Sequence, residues 1–158
     1  MSQSPTEHAV LCFIVKDGRI LLIRKKRGLG AGKVNAPGGK IDPGETMVAA
    51  AIRETREEIG VTPRGLAERG ILDFRFTDGY RLHCTVFVAS DLEGEPIETD
   101  EADPFWSPVG EIPFHLMWED DQHWLPQMLD GKSFTGSFDF DGERMLSKEI
   151  HLREAAAV

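Results

Sequence analysis

The sequence predicts a single α/β domain, an α/β/α sandwich in which a mixed β-sheet lies between helices. Three observations carry that expectation. Apolar runs come in pairs about Asp-Gly turns, one fifteen-residue segment follows helical periodicity, and a second helical segment precedes a last pair of strands. A chain of 158 residues with 41% hydrophobic content has the usual size of one domain and can bury most of the surface that its unfolded form exposes. The domain is expected over residues 8–152, with loose tails at 1–7 and 153–158.

Residues 9–15 (AVLCFIV) and 20–24 (ILLIR) flank Lys16-Asp17-Gly18-Arg19, and Asp-Gly between apolar runs is a strong hairpin signal. The following twenty residues, KKRGLGAGKVNAPGGKIDPG, hold six glycines and two prolines. They read as a shaped loop whose backbone can approach a ligand closely. From Glu45 to Ile59 the pattern is helical, with Pro43-Gly44 before it and Gly60 as its stop. At 100° per residue, Val48, Ile52, Thr55 and Ile59 share an inward stripe, while Glu54, Glu57 and Glu58 cluster roughly 130° away.

Residues 70–77 (GILDFRFT) and 82–89 (LHCTVFVA) form a second hairpin about Asp78-Gly79, and 104–109 (PFWSPV) fits a short strand. Asp120 to Leu129 reads as a second helix, with Asp120 or Asp121 as N-cap and Trp124, Leu125, Met128 and Leu129 turned inward. Residues 133–152 read as a final hairpin about Asp141-Gly142. Cys12 and Cys84 sit in strand-like apolar runs, where a thiol acts as a small hydrophobe, so neither a disulfide nor a cysteine metal site is expected. None of the five histidines shows metal-ligand spacing.

A net charge of -9 argues against a nucleic-acid polymer as partner, since that needs many Lys and Arg to replace released counterions. No apolar run reaches the length of a membrane span, and MSQSPTEHAV lacks the features of a signal peptide, so no membrane partner and a cytoplasmic location are expected. Phosphates on a substrate would have to be met by metal ions and local basic groups.

Three carboxylates at i, i+3 and i+4 on one helix face repel one another unless a cation compensates. Mg²⁺ takes oxygen ligands and usually bridges a few carboxylates to substrate phosphates, which suits such a face beside a glycine-rich loop. Three glutamates alone would more often be a solvated acidic face; the surrounding residues reverse that balance. The stretch GKIDPGETMVAAAIRETREEIGV, Gly39 to Val61, resembles the signature of the Nudix hydrolases. It places Gly39, Glu45, Arg53, Glu54, Glu57, Glu58, Gly60 and Val61 at the family's positions and departs only in having Thr55 where an aliphatic stands.

The resemblance implies a Nudix-type sandwich that cleaves nucleoside diphosphate derivatives with Mg²⁺, or Mn²⁺, by attack of water on phosphorus. It implies Glu54, Glu57 and Glu58 as metal ligands, joined by Glu101 and by the main-chain carbonyl of Gly38. Glu45 and Arg53 would form a salt bridge that orients the ligands. Glu101 would also be a candidate base, and Lys25 a phosphate or sugar contact, with Gly39 and Lys40 beside it.

Beyond that box, KKRGLGAGKVNAPGGK, ETDE, PFHLMWEDDQHWLP and GKSFTGSFDFDG look like the oxidised-purine nucleoside triphosphatase branch, related to MutT. This implies that Asn35, Asp120 and Asp121 read a purine edge while Trp118, Phe74 and Phe76 enclose the base. Asn offers a donor and an acceptor, and an Asp accepts when ionised or donates when protonated. Val10 and Leu29 stand where that branch has Thr and Phe, which removes a hydroxyl and a stacking ring and predicts weaker selectivity for an oxidised base. The competing substrates are a dinucleoside polyphosphate, ADP-ribose or another nucleotide sugar. A non-catalytic binding module is disfavoured by the retained glutamates.

Overall fold

The computed structural model of the protein describes residues 5–154. Of the expected tails, residues 1–4 and 155–158 lie outside the described residues, whereas Glu7 and Arg153 are strand residues.

The first hairpin joins β1 (Glu7–Lys16) to β2 (Arg19–Lys25). Asp17 and Gly18 both adopt positive φ at the turn, the conformation that matches the twist of a two-residue hairpin. These strands pair only from Ile14 to Lys16 and then diverge. The glycine-rich segment fills the fork with β3 (Val34–Asn35), paired to β2, and β4 (Gly38–Lys40), paired to β1 from Ala9 to Leu11. Gly38 is obligatory there, since a Cβ would lie 2.1 Å from the Val10 carbonyl oxygen.

Next comes α1 (Met47–Ile59), then the short β5 (Thr62–Arg64), β6 (Ala67–Phe76), β7 (Arg81–Ala89), the short β8 (Asp91–Glu93) and β9 (Ala102–Pro108). A 3-10 turn at Phe114–Leu116 leads into α2 (Asp121–Leu129), and β10 (Ser133–Asp141) with β11 (Arg144–Arg153) ends the chain. The main sheet runs β11-β10-β6-β7-β1-β2-β3, with β4 on β1 and β9 on β2, while β5 and β8 form a separate ribbon. Pairing is parallel between β1 and β7 and between β6 and β10, so the sheet is mixed.

Strand β1 is apolar on both faces because both are covered. Val10, Cys12 and Ile14 meet α1 through Ala50, Ala51 and Ile59, while Phe13 meets α2 through Trp124, Leu125 and Met128. Cys12 and Cys84 are free and buried, and burial pushes their thiols up to about 12 and above. Among the described residues no helix is long and apolar enough to cross a membrane.

The structure corrects the predicted first helix in two respects. It starts at Met47, because Thr46 caps it by accepting from Ala49 N at 3.1 Å, which leaves Glu45 outside the helix. The buried face, Ala51, Thr55, Glu58 and Ile59, is also turned by roughly 45° toward the glutamates, so that Val48 is 45% exposed. Alanines at 50 and 51 let the helix lie close to the sheet, and this rotation brings Glu58 against β4. Thr55 is accommodated because its hydroxyl donates to Ala51 O at 2.7 Å, which satisfies the buried oxygen.

Candidate active site

One end of α1 and the fork between β1 and β2 meet at a cavity of about 380 Å³, within the range of small-molecule sites. Lys25, Asn35, Gly38, Gly39, Lys40, Glu58, Phe74, Phe76, Trp118, Asp120 and Asp121 all line it. Glu45, Arg53, Glu54, Glu57 and Glu101 do not; Glu45, Glu54 and Glu57 gather around Arg53 instead.

Glu45 turns back from the loop to receive Arg53, whose Nε and Nη2 donate to its two carboxylate oxygens at 2.7 and 2.9 Å. This is the expected salt bridge. Arg53 and the Asp42 amide together hold the Glu45 carboxyl down at about 2. The same guanidinium donates to Glu54 at 2.8 Å, Glu57 at 3.2 Å and the Lys40 carbonyl at 3.1 Å, so it clamps α1 to β4. Glu58 is buried, with Oε1 at 3.4 Å from Gly38 N. Burial, reinforced by Glu54 and Glu101, pushes its carboxyl up to about 8.

Glu101 is tethered to the same helix end. Thr99 Oγ1 donates to the Glu58 carbonyl at 2.6 Å and accepts from Glu101 N at 3.2 Å, while Arg27 binds the Glu101 side chain at 3.1 Å. No sequence signal singled out Thr99, because its partners lie across a loop of unremarkable composition.

Among the described residues, no three carboxylate, imidazole or thiol groups converge closely enough to hold an ion as the side chains stand. The expected ligand cluster is therefore only partly assembled: Arg53 is the positive charge that Glu54 and Glu57 share here, and Glu58 packs on β4. The donors still fit a hard divalent cation, being all oxygen and sharing too few positive charges for a half-buried cluster. Glu57 is 54% exposed in its side chain and has room to swing from Arg53.

A Cβ on Gly39 would lie 2.5 Å from the Glu54 carboxyl, the end of a flexible side chain, whereas at Gly38 it would strike backbone. Gly39→Ala is accordingly expected to displace Glu54 and lower kcat tenfold or more with little change in melting temperature. Gly38→Ala should lower both. Circular-dichroism melts beside steady-state kinetics on the two variants check the contrast, and equal melting losses would remove the argument for Gly39.

At the other side of the cavity, α2 begins with two buried acids. Asp120 occupies the N-cap position, but its side chain makes no capping bond; Oδ2 accepts from Trp124 Nε1 at 2.8 Å instead. The expected N-cap is thus corrected: Trp124 takes the carboxylate because both are buried and the indole N–H needs an acceptor. Asp120 Oδ1 and Asp121 Oδ2 are buried and have no hydrogen-bond partner among the described residues. Burial pushes Asp120 up to about 6, and burial together with Asp120 pushes Asp121 well above the usual range, countered by Lys33.

Aromatic groups form the wall. Phe74 stacks on Phe138 at 5.5 Å, Phe76 stacks on Phe140 at 5.7 Å, and Trp118 stands edge-on to Phe76 and Phe140. Phe74 and Phe76 are therefore both core and cavity lining. Trp106 is only partly buried, under the Arg19 guanidinium at 5.2 Å. Asn35 Oδ1 accepts from Ala36 N at 2.8 Å, and Lys25 Nζ donates to the Leu29 carbonyl at 2.8 Å. Val10 and Leu29 also line the cavity.

Leu72, Tyr80, Leu82 and Cys84 line it as well and were not singled out from sequence. A signal existed: the turn at Asp78-Gly79 sets Leu72 opposite Cys84 and Phe74 opposite Leu82, and period two puts Leu72 on the face of Phe74.

Comparison with known proteins gives a consistent picture. The sequence model of the NUDIX domain matches residues 5–128. An oxidized purine nucleoside triphosphate hydrolase from Danio rerio is 45% identical over 137 residues, 86% of this chain and 88% of that one. The protein so named from Mus musculus is 39% identical over 142 residues, 89% and 91% of the two chains. Among solved structures, a mutator MutT protein from Bacillus halodurans superposes with a TM-score of 0.81 at 26% identity, covering 91% of this chain and 97% of its own.

Proposed function

Because this chain belongs to the Nudix family, whose hydrolases generally need a divalent metal, we propose that it is a Mg²⁺-dependent pyrophosphohydrolase of purine nucleoside triphosphates. Oxidised forms such as 8-oxo-dGTP are included, and the products are monophosphate and pyrophosphate. The names of the Danio rerio and Mus musculus relatives agree with that substrate class. The observation that carries the reading is the pair Asp120 and Asp121. Two adjacent buried carboxyls, each with an oxygen lacking a partner, are costly in a folded protein unless a ligand meets them. They lie in a cavity with aromatic walls that leads to Glu58 and the glycine strand.

In this reading the base lies in the cavity beside Trp118, Phe74 and Phe76, and Asp120, Asp121 and Asn35 exchange hydrogen bonds with its edge. Asp120, which already accepts from Trp124, accepts from the base as well, and Asp121 donates. Lys25 and Lys40 supply positive charge along the path to α1. Glu54, Glu57, Glu58, Glu101 and the Gly38 carbonyl would hold the metal, which supplies Lewis acidity to the phosphoryl oxygens and to attacking water. Arg53 and Glu45 fix the helix glutamates relative to β4, and Thr99 fixes Glu101 relative to Glu58. A glutamate left unprotonated takes the proton from water.

The test is kcat/KM on 8-oxo-dGTP, 2-hydroxy-dATP, dGTP and dATP with Mg²⁺, assayed for pyrophosphate against inorganic phosphate. Pyrophosphate release is expected from all four purines. Faster turnover of ADP-ribose or a dinucleoside polyphosphate would refute the substrate class. Val10→Thr should shift preference toward the oxidised base, because it returns a hydroxyl to the cavity wall; an unchanged ratio would mean that β1 does not reach the base.

A further inference from the structure

We propose that Lys33 is a positioning residue that holds Trp118 against the nucleotide cavity from behind, and so sets how tightly the base is bound. Lys33 does not line the cavity. Its Nζ lies 5.4 Å from the centre of the Trp118 ring, within the range in which an ammonium is attracted by an indole face. The same Nζ is 3.0 Å from Glu143, in the turn between β10 and β11.

Three further contacts fix this lysine and its target. Lys33 N donates to the Gly30 carbonyl at 2.9 Å, and its own carbonyl accepts from Lys25 N at 3.0 Å, which closes the glycine-rich loop onto β2. Gly30 lies under the indole edge, so close that a Cβ there would be 2.7 Å from Trp118 Nε1. Trp118 also stands edge-on to Phe76 and Phe140 at 6.1 and 5.5 Å. The loop thus grips Trp118 through one glycine and one cation.

The inference rests on the reading of the cavity as a purine site, and its test separates the two. The wild-type chain, Lys33→Gln, Lys33→Arg and Glu143→Gln are compared on dGTP and 8-oxo-dGTP with Mg²⁺. Loss of a partly desolvated cation–π contact should raise KM by about fivefold to tenfold in Lys33→Gln, with kcat within twofold. Lys33→Arg, which keeps the charge over the ring, should restore KM to within twofold. Glu143 is 66% exposed, and exposed ion pairs contribute little, so Glu143→Gln should change KM less than twofold. In a Trp118→Leu background, Lys33→Gln should have no further effect.

An unchanged KM in Lys33→Gln would overturn the proposal, as would an undiminished effect without Trp118 or an effect of Glu143→Gln equal to that of Lys33→Gln. A wild-type chain that releases no pyrophosphate from either nucleotide would instead refute the substrate reading.

Discussion

Glu58→Gln is expected to lower kcat by at least two orders of magnitude, about 2.7 kcal/mol in the barrier, with the fold intact. Glu58 is the carboxylate that sits between α1 and the cavity, buried beside Gly38 and close in charge to Glu54 and Glu101. Its amide has the same shape and cannot take on a negative charge in a crowded acidic cluster, so the variant should melt no lower than wild type in EDTA. Glu57→Gln should show a comparable loss of turnover, although in this arrangement it is exposed and held by Arg53. Steady-state kinetics at saturating Mg²⁺ decide the matter: a variant with a tenth of wild-type turnover would sink the assignment. The contrast between the two positions is informative, because a purely structural role predicts a melting loss at buried Glu58 and none at Glu57.

The second large effect concerns the choice of base. Asp120→Asn and Asp121→Asn should each alter the ratio of kcat/KM between 8-oxo-dGTP and dGTP by at least tenfold, about 1.4 kcal/mol, and they should differ. Burial and the neighbouring Asp120 push Asp121 toward its protonated form, so an amide donor can replace it closely. Asp120 already takes the Trp124 indole N–H on one oxygen and offers only the other; an amide there must turn its NH2 into the cavity and present a donor where an acceptor stood.

The pH dependence follows from the same burial. For 8-oxo-dGTP, kcat/KM should fall as pH drops through about 6, where Asp120 gains a proton, with the apparent values belonging to the pair. Stability should move in the opposite sense. Carboxyls raised in the folded state bind more protons there than in the unfolded chain, so stability is lost as pH rises from about 3.8 through the folded values. In EDTA and without nucleotide, Asp121→Asn should therefore melt above wild type at pH 8, and the gap should close below pH 4. A constant gap across that range would show that Asp121 is not raised. An unchanged substrate ratio with only a lowered melting temperature would make the aspartate a structural residue.

The sequence by itself determined the hairpins at Asp17-Gly18, Asp78-Gly79 and Asp141-Gly142, the two helices, and the shared face of Glu54, Glu57 and Glu58. Each depends on turn chemistry or periodicity within a few residues, and such signals survive without the rest of the molecule. The Glu45–Arg53 bridge and the roles of Asn35, Phe74, Phe76 and Trp118 came from the family pattern; in the structure Glu45 receives Arg53 and the other four side chains lie on the cavity wall.

Only the tertiary structure decided how far each group is buried and what it meets. Local periodicity placed Val48 on the inward stripe, but the small alanines and the glycine strand let α1 roll, so Val48 faces solvent and Glu58 the sheet. Local helix rules made Asp120 an N-cap, yet Trp124 and the closed cavity claim its carboxylate. Lys33, Trp118 and Glu143 come from three distant parts of the chain, and the fold brings the loop before β3, the approach to α2 and the last hairpin together. Pairing across such distances is set by the packing of whole elements, and no short window of sequence contains it.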